Sequence, residues 1–271
     1  MSLIVTPGHR DADVHEMVAH FDRIAAKYTD WEKISSEERF SRLKKAERDA
    51  ILEQAELCIG DFAYAARNFF WITNKRGEDQ LFTLWEAQWL ILAKYYELKA
   101  KGVAQKIMLL KARQIGASVL IENMIAWRTM FFPNTEALVV SVVQSDASRL
   151  FAMMLHVYDH MPWWLKPQLA SREEKDGLWF EHPDPDQRRL RPGINSRIHV
   201  QHSTQVSGVG MGKTLRAVHL SEYGKYLQRD FERIIESDLL HAIADNAEAF
   251  AFLESTGHGV GSYAHKLWLP S

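Results

Sequence analysis

The chain has 271 residues, 46% hydrophobic and 25% charged, with a formal net charge of -2. That composition excludes a disordered chain, supplies apolar mass for one large domain or a domain with small additions, and argues against nucleic acid covering the whole surface, so any such contact is local or shared with another domain. The single cysteine, Cys58, excludes an internal disulfide and a cysteine-only metal site, and fits a reducing, cytosolic setting.

Residues 1–12 read as a tail, without the basic region and long apolar core of a signal peptide. No apolar run reaches the roughly 18 residues that span a membrane. From Asp13 to about Trp71 the pattern is helical: Ala19, Phe21, Ile24 and Ala25 recur at helix spacing, and Ser35 with Glu38 forms a capping box before Phe40, Leu43, Ala46 and Ala50. We read residues 1–57 as a tail and helical appendage and residues 58–271 as the main domain. Leu84–Lys99 is a predicted helix. Lys106–Leu110 is a short apolar run, hence a buried strand, and Ser118–Phe131 is the helix after it. Ala137–Val143 is a second strand, Ser145–His160 a helix, and residues 171–196 a loop or small hairpin. Arg197–His202, Leu215–Leu220 and Ala249–Glu254 complete the strands. Strands alternating with helices predict a three-layer α/β fold with a mostly parallel central sheet.

Between the first strand and its helix lie Lys111, Ala112, Arg113, Gln114, Ile115, Gly116, Ala117 and Ser118. A phosphate-binding loop has the form G-x-x-x-x-G-K-[ST] between a strand and a helix, with backbone N–H groups and a lysine around the phosphates and a hydroxyl on Mg²⁺. Gly116 and Ser118 match it. Ala117 stands where lysine belongs, and Lys111 at the loop's first position supplies the charge instead. The helix N-terminus adds its own positive end. A competing match, Ser207–Thr214 with Lys213, precedes a strand rather than a helix, so we read it as a glycine-rich moving loop. The strand Leu215–Leu220 ends in Ser221-Glu222. Glu222 there suits a group that positions the attacking water, and Ser221 a hydroxyl partner of metal-bound water. Ser255 and Thr256, after Ala249–Glu254, suit a γ-phosphate sensor or a plain turn.

In this order these pieces resemble the large terminase subunits of tailed bacteriophages, across roughly residues 58 to 268. Cys58–Ile72 resembles the segment leading into that family's ATPase core. Phe82–Gln88 resembles its adenine-recognising motif, with Gln88 on the adenine edge. Lys111–Ser118 resembles its variant Walker A, Met161–Pro167 the segment after its second core helix, His219–Tyr226 its Walker B, and Phe252–Gly257 its coupling motif. The resemblance implies a P-loop NTPase fold of the ASCE/RecA-like kind and an ATPase that hydrolyses ATP with Mg²⁺ to drive double-stranded DNA into a procapsid. Ser118, Ser221 and Glu222 would serve the metal, and Arg149, acting across a subunit boundary, or Arg113, within the subunit, would be the arginine finger. It also implies a portal protein and a small terminase subunit as partners, a homo-oligomeric ring when assembled with a monomer in isolation as the other state, and a place in the bacterial cytoplasm at the portal vertex. The family continues into a nuclease domain. This chain stops at Ser271, so no nuclease activity is expected from it. The alternatives are a helicase-type ATPase and a nucleotide-binding assembly module without turnover.

Other residues are set aside. His156 and His160 stand at i, i+4 without a third ligand in the local sequence, and Asp184-Pro185-Asp186 reads as a turn. Arg188, Arg189, Arg191 and Arg197 form a basic cluster that suits DNA phosphates or a solvated loop.

Overall fold

The computed structural model describes residues 10–175, 177–203, 214–227, 239–257 and 259–269. Lys213 and most of the competing glycine-rich loop lie outside them. Two compact units emerge, Met1–Thr83 with His156–Lys166, and Leu84–Leu155 with Pro167–Ser271.

The first unit holds helices α1 (Ala12–Ala25), α2 (Ser36–Ser41), α3 (Lys45–Gly60) and α4 (Phe62–Phe69). In α1, Val14, Phe21 and Ile24 are buried on one face, as a 3.6-residue repeat requires. The Ser35–Glu38 capping box forms, with Glu38 N donating to Ser35 Oγ at 3.2 Å and Ser35 N to Glu38 Oε2 at 2.9 Å. The helix it opens ends at Ser41 rather than running on, because Glu47 accepts from the Lys44 backbone N–H at 2.7 Å and starts a second one. Aromatic edges fill the unit's interior: Trp31 meets Trp163 at 4.9 Å and Phe21 meets Trp164 at 5.3 Å between ring centroids. An antiparallel ribbon not foreseen from the sequence pairs β1 (Trp71–Thr73) with β2 (Asp79–Leu81). Its turn is set by Asn74, whose Oδ1 accepts from Arg76 N at 2.8 Å, and by Gly77 at φ +80°.

The second unit is built on a seven-stranded sheet. In chain order its elements are α5 (Glu86–Ala100), β3 (Gln105–Leu110), α6 (Ala117–Phe131), β4 (Glu136–Ser141), α7 (Gln144–His160, whose last turn belongs to the first unit), β5 (Ser171–Glu173), β6 (Gly177–Phe180), β7 (Ser196–His202), β8 (Leu215–Ser221), α8 (Leu240–Ala242), β9 (Phe250–Ser255) and α9 (Tyr263–Trp268). The strand order is β3-β9-β8-β4-β7-β6-β5, parallel from β3 through β7 and antiparallel at β6 and β5. The mixed α/β fold with a mostly parallel sheet is therefore the one expected. β4 is buried along nearly its whole length, with only Glu136 partly exposed, as a strand covered on both faces should be. α6 packs on β4, β7, β8 and β9. This order sets the C-terminal ends of β3, β9 and β8 side by side, where open α/β sheets place their ligands.

Candidate active site

The loop after β3 turns directly into α6. Gln114 and Gly116 both adopt left-handed backbone, at φ 66° and 73°. At Gly116 a side chain would also strike Gln88, since a Cβ there would lie 2.6 Å from Gln88 Nε2. Gln88 is buried and holds the loop: its Nε2 donates to Gly116 O at 2.8 Å and its Oε1 accepts from Trp85 N at 2.9 Å. A carboxamide has two donors and two lone pairs, so one of each remains for another partner. Ala112, Arg113 and Gln114 are exposed, Ile115 is half-buried, and Ala117 is buried at the start of α6.

Lys111 leaves the loop's first position and reaches inward, its side chain only 9% exposed. Its Nζ donates to Glu222 Oε1 at 3.4 Å and lies 3.4 Å from Glu254 Oε2. The lysine at the displaced position thus occupies the space between the ends of β8 and β9. Ser118, on the first turn of α6, donates to Glu254 Oε1 at 2.5 Å, and Ser221 donates to the same oxygen at 3.3 Å.

Glu254 is the acid that the sequence analysis passed over. It pairs in register with Ser221 on the neighbouring strand and is fully buried. Behind it His219 Nδ1 lies 2.5 Å from Glu122 Oε1, and His219 Nε2 lies 3.3 Å from Glu254 Oε1. Burial works against charge on Glu254, yet His219, Lys111 and Ser118 hold its pKa down to about 2. Burial likewise opposes the His219 imidazolium, but Glu122 and Glu254 raise its pKa to about 9. Burial pushes the Glu122 carboxyl up, against the pull of His219. His219 thus stands between two carboxyls that favour its imidazolium, and that charge in turn favours ionised Glu254.

Glu222 shares Lys111 with Glu254 but stands in a different setting. It sits just past β8 in left-handed backbone at φ 54°, a conformation uncommon for a side-chain-bearing residue. Its side chain is 21% exposed, with Lys225 Nζ 3.1 Å from Oε2 and Thr256 Oγ1 donating to the same atom at 3.3 Å. Partial burial opposes ionisation, but Lys225 and Lys111 outweigh it and hold the carboxyl below the usual carboxylate range. Ser255 is buried and accepts from Gly224 N at 3.2 Å, tying the β9 end to the turn that carries Glu222.

Lys111, Ser118, Ser221, Glu222 and Thr256 thus share one cluster, with Gln88 at the far side of the loop. Arg113 and Arg149 are exposed, on the loop and on α7, and neither makes an ion pair with Glu222 or Glu254 among the described residues. In the basic cluster, Arg188 and Arg197 both pair with Glu181, while Arg189 and Arg191 are exposed. Asp184 Oδ1 accepts from Asp186 N at 2.9 Å, the expected turn. A cavity of about 270 Å³ opens between Leu110, Tyr223, Thr256, Val260 and Trp268. Its walls are mainly apolar and it lies beside the β9 end rather than over the phosphate loop, so it does not suit a triphosphate.

A parallel-sheet α/β unit whose strand ends bring a lysine-bearing loop against two acids is the frame on which nucleotide hydrolases are built. Among solved structures the chain is similar to the HK97 bacteriophage large terminase, with a TM-score of 0.56 at 15% identity over 80% of this chain and 40% of that one. It is also similar to a mutant of the Thermus phage P74-26 large terminase ATPase domain, with a TM-score of 0.51 at 15% identity over 69% of this chain and 70% of that one. The chain thus has the fold of phage large-terminase ATPase domains, and it spans 40% of the length of the HK97 protein. No protein-family model matches the sequence, and no curated protein sequence does. Among the described residues no helix is long and apolar enough to cross a membrane.

Proposed function

We propose that this chain is the ATP-hydrolysing motor domain of a phage DNA-packaging terminase. The observation that carries the reading is the placement of Lys111 Nζ 3.4 Å from both Glu222 and Glu254, at the foot of the loop that opens α6. A misplaced lysine that turned out to solvent would argue for a degenerate loop; this one points into the cluster.

The residues fit ATP with Mg²⁺. Ser118, Ser221 and Glu254 offer hard oxygen donors, and Glu254 Oε2 is buried without a hydrogen bond among the described residues. When bound, Mg²⁺-ATP supplies the phosphoryl group and the counter-charge for its transfer. Lys111 and the backbone N–H groups of Gly116 to Ser118 hold the phosphates, helped by the α6 N-terminus. Ser118 would hold the metal, with Ser221 and Glu254 beside it as further oxygen donors. Glu222 accepts the proton of the attacking water, its ionised state secured by Lys111 and Lys225. Thr256 and Ser255 read phosphate state through Glu222 and Gly224. Gln88 contacts the adenine edge with its remaining donor and acceptor, and its bond to Gly116 carries that contact to the loop. Exposed Arg149 serves a neighbouring subunit, or exposed Arg113 its own, as the arginine finger. Double-stranded DNA, the portal and a small terminase subunit are the partners, in a ring at the portal vertex in the host cytoplasm.

Steady-state ATPase measured on wild type, Lys111→Ala and Lys213→Ala tests the assignment. The expected result is loss of turnover with Lys111→Ala and retention with Lys213→Ala. Turnover that survives Lys111→Ala and disappears with Lys213→Ala overturns the loop assignment, and wild-type inactivity under all oligomerising conditions overturns the motor reading.

A further inference from the structure

The sequence leaves His156 and His160 as a pair without a third ligand. The fold supplies one. Asp79, on β2 of the ribbon, faces the last turn of α7 within the first unit, and the ligand atoms of Asp79, His156 and His160 all lie within 4.8 Å of one another. We propose that Asp79, His156 and His160 form a binding site for a divalent transition-metal ion of the zinc type.

The geometry is close to what such an ion needs. Zinc–nitrogen and zinc–oxygen bonds of about 2.0–2.2 Å in a tetrahedron put neighbouring ligand atoms about 3.3–3.6 Å apart. His156 Nε2 lies 3.2 Å from Asp79 Oδ1, and His160 Nε2 lies 3.8 Å from Asp79 Oδ2. The two distances run to the two oxygens of one carboxylate, and one ligand atom from each of the three residues lies within 4.8 Å of the others. Spacing of i, i+4 puts both imidazoles on one helix face, with ring centroids 4.1 Å apart.

Hydrogen bonds outside the trio orient its ligands. His160 Nδ1 lies 3.0 Å from the His156 carbonyl oxygen, so the ring donates from Nδ1 and keeps the Nε2 lone pair for a metal. Thr73, the cross-strand partner of Asp79, donates to Asp79 Oδ1 at 2.9 Å and fixes the carboxylate. His156 Nε2 is buried and makes no hydrogen bond among the described residues, although it lies 3.2 Å from Asp79 Oδ1. Two imidazole nitrogens and a carboxylate gathered around one point form a donor set that a single cation satisfies.

Two imidazole nitrogens and one carboxylate favour zinc, nickel or cobalt over magnesium, which prefers an all-oxygen shell. Asp79 and His160 are exposed, so a fourth position is open to water. None of the three residues belongs to the nucleotide cluster. An ion there clips the β1–β2 ribbon to the end of α7 and adds stability only to the folded state.

The test uses the full chain, tag-free and stripped of metal, without nucleotide. Zinc is titrated calorimetrically, and cobalt is followed by its visible absorption. The expected result is about one zinc per chain at micromolar affinity, a four-coordinate cobalt spectrum, and no displacement by excess magnesium. His160→Ala and Asp79→Asn, both at exposed positions, are expected to weaken zinc binding by at least ~100-fold, the upper end of what outer-shell partners alone contribute. His182→Ala, outside the trio, should leave it unchanged. Failure of wild type to bind zinc in this range, or equal affinity in His160→Ala, overturns the site.

Discussion

The ends of β8 and β9 are neighbours in register, with Ser221 opposite Glu254, yet their acids live in opposite environments. Glu222, one residue beyond β8, is partly exposed, held in left-handed backbone and ringed by Lys111, Lys225 and Thr256. Glu254, inside β9, is buried and bonded to Ser118, Ser221 and, through the interior, His219. Position on the strand explains the difference. A residue within a sheet covered on both faces must bury its charge and pair it, whereas a residue past the strand end can reach solvent and a ligand. On the proposed function we infer a division of labour: the partly exposed acid serves the attacking water, and the buried acid serves the metal, standing in for a carboxylate that the sequence lacks at Ser221.

The comparison breaks first at Glu254. Glu254→Gln leaves protonated His219 and Lys111 without their buried partner, and should cost about 3–5 kcal/mol of stability in urea unfolding as well as turnover. Unchanged stability would mean that the buried charge is not needed. Glu222→Gln should instead lower turnover by about 10²–10⁴-fold while the unfolding midpoint and nucleotide binding stay near wild type. A loss of stability as large as that of Glu254→Gln would erase the contrast between the two acids.

Moving the carboxylate sharpens it further. Ser221→Asp combined with Glu254→Ser returns the acid to β8, and should recover roughly tenfold in turnover over Glu254→Ser alone if the two positions are coupled across the strand pair. Simple addition of the two single effects would deny that coupling. The smallest effect is on pH dependence. His219 has its pKa raised from 6.5 to about 9, so its contribution to stability is complete below about 6.5 and disappears as pH rises through about 9. The melting temperature of the metal-free chain should therefore decline across that window, and His219→Gln should flatten the decline.

Much of this frame is legible from local sequence. Lys106–Leu110 reads as a strand from its apolar run, though at the sheet edge only Ile107 of it is buried rather than the whole strand as expected, and Gly116 marks where the loop must take left-handed backbone before α6. The Ser35–Glu38 capping box is a three-residue pattern and forms as read. The β1–β2 ribbon escaped because each strand has only three residues, although Asn74 and Gly77 were its turn signal. Glu254 escaped for another reason: within Phe252–Gly257 it reads as one more strand residue, and its partners Ser221 and Ser118 lie 33 and 136 positions away.

The sequence by itself determined the alternation of strands and helices, the loop that opens α6, and the acid after β8, because periodicity, glycine placement and strand-end chemistry depend on near neighbours. Only the tertiary structure decided that Lys111 turns inward, that Glu254 is an acid of the site, and that Asp79 joins His156 and His160. Each of those rests on groups far apart in the chain brought within a few ångströms, and around Lys111 and Glu254 burial also removes water and leaves the paired charges to set one another's state.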